Sequence, residues 1–342
     1  MNTFTKTLLA TLALTLGACD AADPVDFQDG DVALRPLLGG YSLNTSFIGG
    51  HDFSELNLDG KVHKFARLDK ICFKSPGKEQ YCVVPGKDLI DVTDGMLWAQ
   101  RGGMVYKGYD FRNSLWYLSV DYDKNGFLDS TIVTTILDAQ PNKTVPSGSA
   151  SPVGYWDYYW AYIPSSASGM ITKYLEKGES PVPTCEPDVD TGSLGSIVLA
   201  DTSIDTSAST HGDVEKVARS LFIACHSGAS GKTPTWGYVH HAVGHKAYES
   251  VIRTIRADYC NDGVSWTEPG QHLAVTDVLD ISKQYDPGYK MEGLVSFENG
   301  WLCLSNPRLA NLGDVQAACG ISECKPDWVA GDEGSDVLTQ LP

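Results

Sequence analysis

The sequence lacks the short motifs of several common enzyme classes. It contains no Gly-x-Ser-x-Gly nucleophile elbow, no Walker phosphate loop and no Gly-x-Gly-x-x-Gly dinucleotide turn. It also contains no Cys-x-x-Cys pair, which disfavours a cysteine-rich zinc site. Glycoside hydrolysis stays open, because that reaction needs only two suitably separated carboxylates.

Basic residues are also scarce. The chain has 26 Lys and Arg residues against 43 Asp and Glu residues, which gives a formal net charge of −17 at pH 7. Nucleic acids and anionic lipid surfaces are bound mainly through Lys and Arg contacts to phosphates. A surface this acidic repels them, so we expect no nucleic-acid partner.

The N-terminus has the anatomy of an exported lipoprotein. Lys6 supplies a positive start, and the apolar run from Leu8 ends in Leu16-Gly17-Ala18-Cys19. We predict that residues 1–18 are a lipoprotein signal peptide and that Cys19 is lipidated. The lipid would anchor the exported protein to a membrane, on the periplasmic or surface face of the cell envelope. Residues 19–35 are acidic and predict a tether. The alternative is an ordinary signal peptide with a chance cysteine.

The remaining cysteines support export. With Cys19 assigned to lipid, an even number is left, which in an exported chain predicts up to four disulfides. Cys72 and Cys82 flank a Ser-Pro-Gly-Lys turn, which predicts a hairpin clamp, whereas the other pairings stay open. The candidates are Cys72, Cys82, Cys185, Cys225, Cys260, Cys303, Cys319 and Cys324.

Hydrophobic patterning predicts an α+β fold. Residues 36–145 show short apolar alternations between Gly, Asp and Asn turns, which predict a β-rich domain. Residues 153–330 are expected to form a second, α+β domain with two or more helices and short antiparallel strands. Residues 331–342 have the composition of a flexible tail. The Pro/Ser/Gly-rich stretch at 141–152 predicts a linker or a long surface loop.

Two helices are predicted in the second half. Apolar residues recur at helical spacing from Val214 to Cys225, with Asp213 as a cap and Gly228 as a stop. A second apolar stripe of the same period runs from about Val243 to Ala257.

The second helix ends in the most distinctive stretch of the chain, Arg256-Ala257-Asp258-Tyr259-Cys260. Together with Trp236-Gly237-Tyr238 before it and Phe297-Glu298 after it, this stretch resembles the bacterial ADYC-domain family of exported proteins, named for its Ala-Asp-Tyr-Cys quartet. The resemblance implies no catalytic residue. Relatives often carry cysteines where this chain has Thr233 and Tyr248, which implies that one disulfide has been lost here.

The quartet itself admits two interpretations. In the structural one, Cys260 ties the helix end to another element, Tyr259 packs through its hydroxyl, and Asp258 accepts hydrogen bonds from a nearby arginine or turn. In the functional one, Arg253, Arg256 and Asp258 form a cluster that grips a ligand. We favour the structural interpretation.

A calcium loop is one candidate metal site. In residues 121–129, oxygen-bearing side chains stand at positions 1, 3, 5 and 9 around Gly126, as in the first part of a calcium-binding loop. Ile132 stands where such a loop places its bidentate Glu. The alternative is a β-hairpin closed by Asn-Gly. The candidate ligands are Asp121, Asp123, Asn125 and Asp129.

Histidines form a second candidate metal site. His241 and His245 would share one face of a regular helix, with His240 beside them and His226 upstream. Ala242 stands where a zinc protease has its catalytic Glu. We therefore favour hydrogen-bonded or solvent-facing histidines and expect no cofactor besides the candidate calcium.

These features favour a lipid-anchored envelope protein that acts as a surface scaffold or binding protein over an enzyme, without deciding whether it has an activity. Its candidate partners are an envelope protein or a glycan, since the aromatic stretch from Tyr155 to Tyr162 would bind either if exposed, although a buried strand is favoured there. The alternative is a secreted hydrolase that acts on envelope or environmental polysaccharide or protein. A deep cleft with paired carboxylates or converging histidines would favour the hydrolase.

Overall fold

The computed structural model describes residues 47–48, 51–73, 81–121, 125–128, 130–163, 181–189, 191–205, 212–268 and 270–342. Strands account for 44% of the structure and helices for 16%. The predicted α+β class is therefore wrong. The protein is mostly β, with several sheets and three α-helices in the part described.

The elements follow the chain in this order. The strands are β1 Phe47–Ile48, β2 His51–Asp52, β3 Glu55–Asn57, β4 Ala66–Phe73, β5 Tyr81–Val83, β6 Leu89–Thr93, β7 Met96–Arg101, β8 Met104–Lys107, β9 Leu115–Val120, β10 Ser130–Lys143, β11 Gly154–Ile163, β12 Val182–Pro183, β13 Ser196–Ile204, β14 Val214–Cys225, β15 Ala274–Asp277, β16 Lys290–Ser296, β17 Gly300–Leu304, β18 Ser322–Glu323 and β19 Val337–Leu341. The helices are α1 Ala229–Lys232, α2 His240–Arg256 and α3 Leu312–Cys319, with 3-10 turns at Gly108–Phe111, Thr233–Trp236 and Asp332–Gly334.

A large antiparallel sheet forms the centre of the molecule. Its strand order is β3-β14-β13-β11-β10-β9-β4-β5, and β12 pairs with β11. Strands β10 and β11 are paired from Val133↔Ile163 to Lys143↔Gly154. The sheet therefore runs across the boundary that the sequence predicts between residues 145 and 153, and the two predicted domains share it.

The first predicted helix is wrong, because Val214–Cys225 is strand β14. Leu221 and Ile223 belong to the apolar cluster on one face of the large sheet, whereas Phe222 and Ala224 belong to the cluster on the other face. A strand covered on both faces carries a continuous apolar run, which periodicity cannot distinguish from a buried helix. Pairing with β3 and β13 decides the outcome.

The small sheet β6-β7-β8 contributes to the first of these clusters. Trp116 and Trp160 are fully buried in it, with ring centroids 4.7 Å apart. The Leu97 amide of β7 donates a hydrogen bond of 2.8 Å to the Tyr158 hydroxyl of β11. Each large apolar side chain buried in this way contributes about 1.5–3 kcal/mol, so this cluster is a major source of stability.

Helix α2 covers the opposite face, and the second predicted helix is confirmed. Tyr248, Val251 and Ile252 pack with Phe222 of β14. Gly244 departs from helical geometry with φ 80° and ψ 170°, so the first turn of α2 is separated from the rest by a kink.

A second sheet of five strands closes the C-terminal part, in the order β15-β19-β16-β17-β18. The flexible tail predicted for residues 331–342 is wrong at β19, which lies between β15 and β16 with Val337 and Leu338 buried. The polar residues before β19 predict a frayed terminus. The backbone N–H and C=O groups of β19 are instead hydrogen-bonded to the strands on either side.

The loop at 146–150 joins the two sheets. The amides of Gly148 and Ala150 donate to the carbonyls of Ile281 and Asp280, at 3.0 and 2.9 Å. A Cβ at Gly148 would lie 1.9 Å from the Asp280 carbonyl oxygen, so only glycine permits this approach. The predicted linker is thus held against the second sheet.

Four disulfides join all eight candidate cysteines. The pairs are Cys72–Cys82, Cys185–Cys225, Cys260–Cys319 and Cys303–Cys324. Four disulfides fit an extracellular or periplasmic protein. Cys19 and residues 1–35 lie outside the described residues. In the part described, no helix has both the length and the apolar character to span a bilayer.

Candidate functional site

The Ala-Asp-Tyr-Cys quartet lies at the C-terminal end of α2. Ala257 ends the helix in a left-handed conformation, with φ 51° and ψ 44°. Cys260 is bonded to Cys319, the last residue of α3. The quartet therefore forms a corner that connects α2 to α3.

Asp258 is fully buried and closes the turn after the quartet. Its carboxylate accepts hydrogen bonds from Arg253 Nη1 at 2.8 Å and from the amides of Asp262 and Gly263, each at 3.0 Å. Burial raises the pKa of Asp258 to about 6, and the charge of Arg253 opposes this shift. Arg253 also pairs with Glu249 of α2. The carboxylate thus serves the local backbone and an internal ion pair.

Tyr259 connects the corner to the second sheet. Its hydroxyl donates to Glu292 Oε1 at 2.8 Å and accepts from the Arg308 amide at 2.9 Å. The Arg308 guanidinium binds the same carboxylate at 2.8 Å and donates to the carbonyls of Thr254 and Ile255, which satisfies the C-terminal end of α2. Arg308 is 3% exposed and Glu292 0%. These internal contacts support the structural interpretation of the quartet over a ligand-gripping cluster.

The resemblance implies that a disulfide between positions 233 and 248 has been lost in this chain. Thr233 and Tyr248 are both fully buried, and the Thr233 hydroxyl donates to the Ala229 carbonyl at 3.0 Å. The Tyr248 hydroxyl also donates to the Ser230 carbonyl. Tyr248 therefore links α2 to α1, and the lost disulfide stays a prediction.

Of the histidines near the start of α2, His240 is buried, His245 is half-buried and His241 is exposed. Nε2 of His240 and Nε2 of His245 lie 3.2 and 3.5 Å from the Thr202 hydroxyl. Burial, together with the neighbouring His245, lowers the pKa of His240 to about 4. Gly244 breaks the regular helix on which His241 and His245 were predicted to share a face. Among the described residues, no group of three or more His, Cys, Asp or Glu side chains could hold a metal ion.

The candidate calcium loop is described only in part, because Asp123 and Asp129 lie outside the described residues. The Asp121 carboxylate accepts from the amides of Asn125 and Gly126 at 2.8 and 2.7 Å. Strands β9 and β10 on either side pair as a hairpin. The hairpin interpretation accounts for the described contacts, no cofactor is supported, and calcium stays a prediction.

A polar cavity of about 300 Å³ lies where the loop at 145–147 meets the segments around Trp236 and Leu273. Its walls contain hydroxyl and amide groups, one indole and one imidazole, and the lining includes no carboxylate, lysine or arginine. The lining residues are Val145, Ser147, Thr235, Trp236, Gln271, His272, Leu273, Val275, Ser282 and Gln284.

The cavity is built on fixed elements. The Ser147 hydroxyl lies 3.2 Å from the Ser282 hydroxyl and accepts from the Lys283 amide at 2.8 Å. Half-buried Trp236 packs against the apolar cluster under α2 and against the cluster of the second sheet. The ring and the hydroxyls are therefore held in place by the surrounding fold.

Sequence reasoning missed this cavity. Its walls come from segments near residues 145, 235, 272 and 283, which are far apart in the chain and form no motif. The Pro/Ser/Gly-rich stretch was the one local indication, since a long surface loop is a common place for binding residues.

One protein-family model covers helix α2, the quartet and most residues of the cavity lining. Residues 158–310 match the family model described as the ADYC domain. The chain therefore carries an ADYC domain, as the quartet predicts, and this domain includes α2, the corner and most of the cavity lining. The searches of curated proteins and of solved structures return no match.

Proposed function

We propose that the protein is an exported binding protein of the cell envelope that holds a neutral, hydroxyl-rich ligand, such as a glycan unit, in the polar cavity. The observation that carries this proposal is the chemistry of the cavity wall. An indole ring lies beside Gln271, Gln284 and two serine hydroxyls, without a carboxylate, lysine or arginine in the lining.

This lining suits a sugar better than an ion. A sugar ring presents apolar C–H faces that stack on an indole and hydroxyls that both donate and accept hydrogen bonds. The chain as a whole is strongly acidic, whereas the cavity lining has no carboxylate, lysine or arginine that would pair with a charged ligand. A volume of about 300 Å³ is at the lower end of small-molecule sites.

The anchor belongs to the same proposal. A protein held by lipid at Cys19, with an acidic tether before its folded part, would keep the cavity within reach of a membrane surface. Replacing Cys19 by alanine should move the exported protein from the membrane fraction to the soluble fraction. Retention in the membrane fraction would contradict the anchor and leave the cavity proposal standing.

Calorimetric titration with neutral oligosaccharides and soluble peptidoglycan fragments tests the binding function. We expect Trp236→Ala to weaken binding at least about tenfold, because the stacking surface is removed. Trp328→Ala is the matched control, since Trp328 is also half-buried but lies beside Lys325, away from the cavity. Absence of binding to every neutral glycan, or equal binding by the two variants, would overturn the proposal.

A further inference from the structure

A serine, a histidine and an aspartate form a chain of contacts where β13 begins and β14 ends in the large sheet. Ser193 Oγ lies 3.3 Å from His226 Nδ1, and His226 Nε2 lies 3.0 Å from Asp157 Oδ1. Ser193 precedes β13, His226 follows β14, and Asp157 lies within β11. The sheet brings together three residues that no sequence motif connects.

Accessibility decreases along this chain of contacts. Ser193 is half-buried, whereas the side chains of His226 and Asp157 are 13% and 11% exposed. Within the part of the chain that the structure describes, neither Nε2 of His226 nor Oδ1 of Asp157 has a hydrogen-bond partner, and the two atoms face each other at 3.0 Å. Activation of a hydroxyl requires this order: the nucleophile lies nearest the surface, the base lies behind it, and the carboxylate that orients the base is buried.

The hydroxyl of Ser193 is oriented by its own loop. Its oxygen accepts a hydrogen bond of 3.1 Å from the Gly195 amide, which leaves the hydroxyl proton to be donated to the imidazole. A Cβ at Gly195 would lie 3.1 Å from both Cε1 and Nδ1 of His226. The glycine therefore permits the close approach of ring and loop.

The base and the carboxylate are also held in place. The His226 amide donates to the Gly195 carbonyl at 2.9 Å, and the preceding Cys225 is bonded to Cys185. Oδ2 of Asp157 accepts from Asn142 Nδ2 at 2.8 Å, which leaves Oδ1 directed at the ring. Fixed partners of this kind provide the preorganisation that a catalytic site needs.

We propose that Ser193 is the nucleophile of an esterase site, with His226 as general base and Asp157 as its positioning residue; this activity goes beyond the proposed binding function. Ser193 Oγ attacks the acyl carbon of a carboxylic ester while its proton passes to His226 Nδ1. The bond between the acyl carbon and the alkoxy oxygen then breaks, and the alcohol leaves with that proton. Water, deprotonated by His226, releases the carboxylic acid and restores the serine.

A fluorophosphonate probe on the full-length protein tests the nucleophile directly. Ser193 Oγ would displace fluoride at phosphorus, and peptide mass spectrometry would locate the adduct. We expect the adduct on Ser193 in the wild type and its loss in Ser193→Ala. Ser149→Ala is the matched control and should label as the wild type does, because Ser149 is an exposed loop serine without a histidine partner in the described contacts.

Two further variants test the base and the positioning residue. We expect His226→Asn to slow labelling about 100-fold or more, the usual effect of losing a general base. Asp157→Asn should lower the maximal labelling rate and leave the half-saturating probe concentration unchanged, a separation that loss of structure would not produce. Thermal unfolding of each variant monitors folding. A wild-type protein without an adduct at Ser193, or one labelled no faster there than at Ser149, would overturn the proposal, and glycan binding would be unaffected.

Discussion

The large sheet and the quartet corner are both buried, but they are stabilised in different ways. The sheet surrounds Trp116, Trp160 and Leu118 with other apolar side chains. The corner instead buries charges that satisfy one another, such as Glu292 with Arg308. Apolar burial is non-directional and scales with area, whereas a buried ion pair depends on each of its members. The two regions should therefore respond differently to conservative substitutions.

The largest expected effect is at the corner. Glu292→Gln keeps the shape of the side chain but leaves Arg308 buried without a carboxylate, so we expect the free energy of unfolding to fall by about 3–5 kcal/mol. Urea denaturation measures this change. Asp69→Asn is the control, because Asp69 pairs with Arg67 at 2.9 Å in an ion pair 30% and 42% exposed. It should cost less than about 1 kcal/mol. Similar losses of stability in both variants would mean that the buried ion pair at the corner contributes no more than an exposed one.

Disulfides offer a second comparison of the two regions. Cys260–Cys319 at the corner closes a separation of 59 residues, and Cys72–Cys82 in the large sheet closes one of 10. The loop-entropy relation predicts losses of about 4 and about 2.7 kcal/mol when each pair is replaced by serines. Thermal and urea unfolding under non-reducing conditions would rank them. A larger loss for the short hairpin would mean that strand pairing, and not chain entropy, dominates.

The pH dependence of stability provides a third, smaller effect. Since the pKa of His240 is lowered to about 4, the unfolded chain takes up a proton below about pH 6.5 that the folded protein does not. Stability therefore falls as the pH decreases through this range, by about 2 kcal/mol at pH 4.5. His240→Gln should remove this part of the loss in urea unfolding between pH 7 and 4.5.

Asp258 acts in the opposite sense. Its raised pKa means that the folded protein retains a proton that the unfolded chain releases, so its contribution is lost as the pH rises towards about 6. The difference between wild type and His240→Gln isolates the histidine from this opposing change. If stability depended on pH identically in the two proteins, His240 would not be the group responsible for the loss at low pH.

The smallest effect is expected in the centre of the large sheet. Leu118→Met conserves volume and apolar character at a fully buried position, so we expect a loss below about 1.5 kcal/mol in urea unfolding. Leu118→Ala, which leaves a cavity, should cost about 2–5 kcal/mol. If the methionine variant were as unstable as the alanine variant, this core would be as intolerant of conservative change as the corner.

Prediction from the sequence worked where the determinants are local. The stripe from Val243 to Ala257 correctly indicates α2, and the turn between Cys72 and Cys82 correctly indicates their pairing. It was wrong for Val214–Cys225, because an apolar run buried on both sides has no period that identifies a strand. The polar cavity and the contacts of Ser193 could not be predicted, since their members come from distant segments.

The amino-acid sequence is enough to specify an acidic chain with an even set of cysteines besides Cys19, turn-rich strands in the first half, and a quartet that ends a helix. Tertiary structure alone decided that β14 is a strand, that β19 is enclosed by two others, and that His226 lies between Ser193 and Asp157. The physical reason is that helix caps, turns and periodicity depend on neighbours in the chain, whereas strand pairing and burial on two faces depend on residues brought together only by folding.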